Sequence, residues 1–151
     1  MKVAIVSGSV YGSAEEVARH AQRIIKDAGH EVLFNPRVSL ADLQAFAPQA
    51  LLAVTSTTGL GELPDNLQPL YSQIRDTLPS AWRGLPGGVI ALGDASYGDT
   101  YCGGGEQMRE LFMELGVHEV QDMLRLDASE TVNPEGDAEP WLADFVSKLG
   151  A

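Results

Sequence analysis

"VAIVSGSVYGSAEEVARHAQRIIKDAG", residues 3–29, decides how the chain is to be read. It opens on four consecutive apolar residues, Val3 to Val6, the pattern of a strand covered on both faces. It closes on Ala14, Val17, Ala18, Ala21, Ile24, Ile25 and Ala28, spaced by three and four along one helical face and stopped by Gly29. Between them, Ser7 to Ser13 form a turn rich in glycine and hydroxyls. It has the composition to wrap an anion, yet holds no lysine or arginine and runs into Glu15 and Glu16.

The same alternation continues. Val32 to Phe34, Leu51 to Val54 and Val89 to Leu92 are further short apolar runs, and Val120 to Leu126, interrupted by Asp122 and Arg125, reads as a fifth, edge strand. Ser39 starts a short helix after the second run. Leu67, Leu70, Ile74 and Leu78 mark a helix entered through Pro64-Asp65 and closed by Pro79. Met108, Leu111, Phe112 and Leu115 mark another, ending at Gly116, and Leu142, Phe145, Val146 and Leu149 a last one after Pro140. Apolar strands alternating with one-faced helices imply a parallel α/β sheet covered on both sides, doubly wound, with ligands bound beyond the carboxyl ends of the strands.

Length and composition are those of one domain, residues 1–151, with 44% hydrophobic and 21% charged residues and only the polar stretch Asp127 to Pro140 linker-like. No leader pattern or membrane-length apolar run is present, and the single cysteine, Cys102, fits a reducing, cytoplasmic setting. Ten basic against twenty-one acidic side chains leave a net charge of −11. That excludes binding driven by nucleic-acid phosphates and either steers the chain toward basic partner surfaces or serves solubility alone.

Strand ends direct attention to three loops: Ser7 to Ser13, Thr55 to Asn66 and Gly93 to Gly105. In the first, Gly8 and Gly12 permit a tight turn, Ser9 and Ser13 supply hydroxyls, and the helix starting at Ala14 offers free amides at its positive end. Ser13-Ala14-Glu15-Glu16 equally fits a capping box, which would use the same amides. A Walker loop lacks its Gly-Lys here, and a dinucleotide fingerprint lacks both its glycine spacing and an acid after strand 2, which ends in Asn35-Pro36. The third loop carries Tyr97, able to shelter a planar ligand or to cover the core. A phospho-acceptor domain would need an aspartate where strand 3 ends in Ser56-Thr57, and acids in place of Ser7-Gly8.

Taken together and in this order, the three loops resemble those of the flavodoxins, and the likeness covers nearly the whole chain. It is nearest to the short bacterial flavodoxins of the MioC and YqcA type, and extends to the FMN domains of diflavin reductases. The resemblance implies a flavodoxin-like three-layer sandwich on a five-stranded parallel sheet of order 2-1-3-4-5, with FMN as cofactor. Ser9, Val10, Tyr11, Gly12, Ser13 and Ala14 would cradle the phosphate, and Thr57, Thr58, Gly59, Leu60 and Gly61 the inner face of the isoalloxazine. Leu92, Gly93, Asp94, Tyr97, Tyr101 and Cys102 would border its outer face and pyrimidine edge, with Tyr97 stacking and Cys102 packing rather than reacting. Thr58 stands where many flavodoxins place a tryptophan, forgoing about 1 kcal/mol of stacking. The third loop is one residue longer than in close relatives, and the insertion of long-chain flavodoxins is absent.

The function so implied is a low-potential one-electron carrier without a catalytic dyad, a metal site or stand-alone enzymatic activity. It would be a monomer taking electrons from a flavodoxin or ferredoxin reductase and passing them to an acceptor enzyme through basic docking surfaces, with no nucleic acid or membrane partner. The alternative is an FMN-dependent NAD(P)H:quinone-type reductase. His20, His30 and His118 lie away from the loops. Gly59 has no side chain to stop its peptide turning toward the reduced ring, as the resemblance implies. Glu62, Asp65, Asp94 and Asp99 lie on the two ring-binding loops. Two unit charges ~10 Å apart at an effective dielectric of ~20 interact by about 1.7 kcal/mol, so these carboxylates oppose a second negative charge on the flavin. Converting Glu62 and Asp99 to their amides is expected to raise the potential of the second electron; a redox titration showing no change, or a fall, overturns that account.

Overall fold

The computed structural model describes residues 1–58, 61–94, 98 and 101–149. Strands β1 (Lys2–Gly8), β2 (Glu31–Phe34), β3 (Ala50–Thr55) and β4 (Pro86–Gly93) form a parallel sheet in the order 2-1-3-4. The outer edge of β4 carries two short strands in succession, β5 (His118–Glu119) and β6 (Leu124–Asp127). The order 2-1-3-4-5 expected from the sequence is therefore observed, with the fifth position divided.

Each apolar run feeds two cores. Val3 and Ile5 pack with Ala50, Leu52 and Val54 under helices α1 (Ser13–Asp27) and α5 (Pro134–Lys148). The alternate residues Ala4 and Val6 pack with Leu51 and Ala53 under α2 (Leu40–Phe46), α3 (Gln68–Thr77) and α4 (Gly103–Leu115). Helix α1 buries Ala14, Val17, Ala18, Ala21 and Ile25 of the stripe read from its spacing, while Ile24 is half-buried and Ala28 is the exposed residue after the helix. Ser39 caps α2 through a capping box: its hydroxyl accepts from the Asp42 amide at 3.0 Å, and the Asp42 carboxylate accepts from the Ser39 amide.

Four boundaries differ from the sequence reading. The expected strand Val120 to Leu126 is broken, because β4 advances from Gly87 to Ile90 while its neighbour advances from Glu119 to Leu124. The two extra residues leave the ladder around Trp141, whose indole N–H donates to the Asp122 carbonyl at 2.8 Å and whose ring occupies the space over Gly88. The last helix starts at Pro134, capped by the Asn133 side chain, and runs through Pro140. Burial of Ala138, Trp141, Leu142 and Phe145 holds it despite the lost hydrogen bond. Leu78 is not on the buried face of α3; it is the exposed residue after the helix, at φ 47°.

The fourth difference shapes the site. Gly103 to Gly105, read as loop, are the first turn of α4. A Cβ at Gly104 would lie 2.5 Å from the Ser56 carbonyl oxygen, and one at Gly105 2.3 Å from the Ala91 Cβ in the centre of the sheet. The glycines are there because the helix approaches the strands more closely than any side chain permits. Gly105→Ala is expected to cost about 1–3 kcal/mol by overpacking, against a gain in helix propensity of about 1 kcal/mol, read as a lower denaturation midpoint in urea.

Candidate functional site

The carboxyl ends of β1, β3, β4 and β6 open onto a cavity of about 650 Å³, in the range of small-molecule and cofactor sites. Val10, Tyr11 and Ser13 line it from the first loop, and Ser56, Thr57 and Thr58 from the segment after β3. Leu92, Gly93, Asp94, Tyr101 and Cys102 line it from β4 and the segment before α4. Leu126, Ala128, Thr131, Val132 and Pro134 complete it from β6 and the turn into α5.

Ten of the residues singled out in the sequence thus share one wall: Val10, Tyr11, Ser13, Thr57, Thr58, Leu92, Gly93, Asp94, Tyr101 and Cys102. Gly59, Leu60, Tyr97 and Asp99 lie outside the described residues. Ser9, Gly12, Ala14 and Gly61 do not line the cavity. Ala14 is buried in the core. The Gly61 amide donates to the Thr58 carbonyl, and the Gly61 carbonyl accepts from Gln107 Nε2 at 2.8 Å.

The first loop is built without the expected capping box. The N-cap position falls on Gly12, in the left-handed region at φ 89°, and among the described residues no side chain caps the helix there. The Gly12 amide instead donates to Ser9 Oγ at 2.7 Å, curling the loop back on itself. Asn66 clamps that curl. Its Oδ1 accepts from the Ser9 amide at 2.9 Å, and its Nδ2 donates to the carbonyls of Ser7 and Pro36, both at 3.1 Å. The Glu16 amide joins the ordinary helical ladder to the Gly12 carbonyl. The Glu135 carboxyl on the first turn of α5, through hydrogen bonding and then its charge, pushes the Glu16 pKa above its usual 4.5. The end of the cavity by Ser13 therefore presents an uncapped helix N-terminus and a wall without lysine or arginine. Amides of this kind favour an anion.

The described parts of the other loops are also hydrogen-bonded to the framework. Thr58 and Glu62 exchange two backbone hydrogen bonds of 2.8 Å, and Thr57 Oγ1 accepts from the Gly104 amide at 3.1 Å, which pins the second loop to the start of α4. Cys102, the residue before α4, sits at φ 57° and is wholly buried, with its backbone and Sγ against Gly93. Burial pushes its thiol pKa up, although hydrogen bonds with Tyr101 and Arg125 oppose the rise, so at neutral pH it is a packing group rather than a thiolate. The Tyr101 phenol is pushed up to about 12, mainly by burial and then by Cys102. Among the described residues no group of His, Cys, Asp and Glu is arranged to hold a metal ion, and no helix is long and apolar enough to cross a membrane.

Sequence reasoning missed the wall from Leu126 to Pro134, and Asn66. The first was within reach, since β6 also ends at this side of the sheet and the Asp127 carboxylate folds the chain by accepting from the Ser129 amide at 2.9 Å. Asn66 carries no motif; only its three distant partners identify it.

The flavodoxin family profile matches residues 5–141. Flavodoxin YqcA of Pectobacterium carotovorum is 41% identical over 150 residues, covering 99% of this chain and 98% of that protein. Protein MioC of Escherichia coli is 32% identical, covering 97% of each. Among solved structures, a cysteine-to-alanine variant of a Pseudomonas aeruginosa flavodoxin is 72% identical, covers both chains completely and superposes with a TM-score of 0.96. The sandwich, its strand order and the cavity at its carboxyl edge are thus those of a short-chain member of the flavodoxin family, the FMN-binding electron carriers, to which this chain belongs.

Proposed function

We propose that this flavodoxin is a single-domain, low-potential one-electron carrier working between a reductase and an acceptor enzyme, and that FMN occupies the cavity described above. The observation that carries the reading is the pairing, in one cavity, of an uncapped helix N-terminus without a cation and a wall partly apolar through Val10, Leu92, Leu126 and Val132. A phosphate monoester suits the first and a flavin ring the second, so the residues present fit the cofactor. Ser9, Val10, Tyr11, Gly12, Ser13 and Ala14 would hold the phosphate. Thr57, Thr58 and Gly61, with Leu92, Gly93, Asp94, Tyr101 and Cys102, would hold the ring, with Gly59, Leu60 and Tyr97 proposed from the sequence to join them.

FMN, once bound, supplies the electron chemistry. The protein's share is to fix the ring between the segments after β3 and β4, exclude water with Leu92, Leu126 and Cys102, and set the surrounding charge. Arg125 stands near the Tyr101–Cys102 wall but is engaged by Glu106, so the acidic groups Glu62, Asp65 and Asp94 dominate the field around the loops. The charge of −11 supports donors and acceptors with basic docking faces, and the lone cysteine supports a cytoplasmic setting.

The purified protein is expected to bind FMN and turn yellow; a chain that stays colourless and leaves the absorption spectrum of added FMN unchanged refutes the cofactor assignment. Mixed with NADPH and a quinone, the FMN-loaded protein is expected to turn over only when a reductase is added. Rapid turnover without one favours the NAD(P)H:quinone reductase instead.

A further inference from the structure

Asn66, in the turn before α3, lies outside the cavity wall yet ties together three of the crossovers that surround it. A side-chain amide carries an acceptor at one corner and two donor hydrogens at the other. The backbone groups it meets are one donor and two acceptors. Its Oδ1 accepts from the Ser9 amide at 2.9 Å, and its Nδ2 donates to the carbonyls of Ser7 and Pro36, each at 3.1 Å. Ser7 and Ser9 stand at the end of β1, Pro36 in the turn after β2, and Asn66 itself after β3. One planar group thus joins the chain where it leaves β1, β2 and β3 for its helices.

The seat of Asn66 is itself fixed. The Leu67 and Gln68 amides both donate to the Pro64 carbonyl at 3.0 Å, so Asn66 stands on a closed turn. Leu67 is buried, and a Cβ at Gly8 would lie 2.9 Å from the Leu67 Cβ and 2.8 Å from Thr55 Oγ1. The end of β1 is therefore pressed onto this turn more closely than a side chain at position 8 permits. The Pro36 carbonyl is presented by a turn of its own, in which Asn35 Oδ1 accepts from the Arg37 amide at 2.8 Å and the Asn35 carbonyl from the Val38 amide at 3.0 Å. The first loop leans on this frame. Val10 and Tyr11 are exposed, and the Gly12 amide donates to Ser9 Oγ, so the curl from Ser9 to Ser13 takes its position from Ser9. Ser9 in turn takes its position from Asn66.

A wall without lysine or arginine binds an anion only through amides and hydroxyls that already point the right way, because these cannot follow the anion as a lysine on a flexible stem can. We propose that Asn66 is the positioning residue of the phosphate loop: by holding Ser9 it sets Val10 to Ser13 in the shape that receives the phosphate of FMN, and so makes the chain prefer FMN to the flavin without a phosphate. This rests on the reading that FMN occupies the cavity with its phosphate at the first loop. The segment after β3 keeps its place without the Asn66 side chain, since Thr58 and Glu62 hold each other and Thr57 Oγ1 accepts from the Gly104 amide. Loss of the Asn66 amide group therefore loosens the phosphate end and leaves the ring end as it is.

The test uses the whole chain and its Asn66→Ala and Asn66→Asp variants, each titrated with FMN and with riboflavin, which has the same ring and no phosphate. Asn66→Ala removes all three hydrogen bonds. Asn66→Asp, nearly identical in shape, keeps the acceptor for Ser9 and loses both donors, and it serves where the alanine variant fails to fold. Each variant is expected to bind FMN roughly five- to thirtyfold more weakly than the parent chain, with riboflavin affinity unchanged to within about twofold. A second readout needs no flavin. In the flavin-free chain, hydrogen exchange at the Ser9 and Gly12 amides is expected to quicken roughly tenfold in either variant, while exchange at Thr58, Glu62 and Gly104 stays at the parent rate. FMN affinity left unchanged, FMN and riboflavin affinities falling by the same factor, or unaltered exchange at Ser9 and Gly12 each overturns the inference while leaving the cofactor assignment standing. Failure of the parent chain to bind FMN removes that assignment and the inference with it.

Discussion

Strands β1, β3 and β4 have almost no solvent face, and the rest of the molecule is arranged around covering them. Val3 to Val6, Ala50 to Val54 and Val89 to Ala91 are buried on both sides. Their backbone groups are satisfied only by parallel neighbours, so every connection must cross over a face of the sheet as a helix. Helices then occupy both layers, and the loops that precede them collect at the carboxyl edge. The cavity is a by-product of this covering: it lies where the first crossovers leave for opposite faces, between β1 and β3.

Most of that architecture is legible from residues 3–92 because the signals are local. An apolar run of four or five residues, a stripe at spacings of three and four, a serine three residues before an aspartate: each depends on near neighbours, and each forms as read except at helix ends such as Leu78. What escaped the sequence depends on approach in space. Nothing near Gly103 to Gly105 says that α4 will be pressed onto Ala91 and Ser56; the glycines look like loop until the distance to the sheet is known. Pro140 looks like a helix start until Ala138 is seen buried behind it. The capping box at Ser13 fails for a related reason, since a competing curl closed by Ser9 and clamped by Asn66, more than fifty positions away, places the cap on Gly12.

The same distinction runs through the site. Hydroxyl and glycine composition marked the right strand ends, and ten of the residues it picked out share one wall. The turn from Ala128 to Pro134 has ordinary composition and joins the wall only because β6 ends level with β4, Asp127 beside Gly93. It brings Pro134, the first residue of α5, to the cavity that Ser13, the first residue of α1, also lines, so this wall is built by two helices far apart in the chain.

The break in the outer strand has a bearing on how the molecule behaves in company. An outer strand running unbroken from His118 to Asp127 would offer other chains a long row of unpaired amides and carbonyls. Here the row stops after Glu119, turns out around Trp141, and resumes at Leu124, with Arg125 and Asp127 along it. Neither short segment is long enough to template a further strand. The interrupted border therefore offers a neighbouring chain only short stretches of edge to pair with.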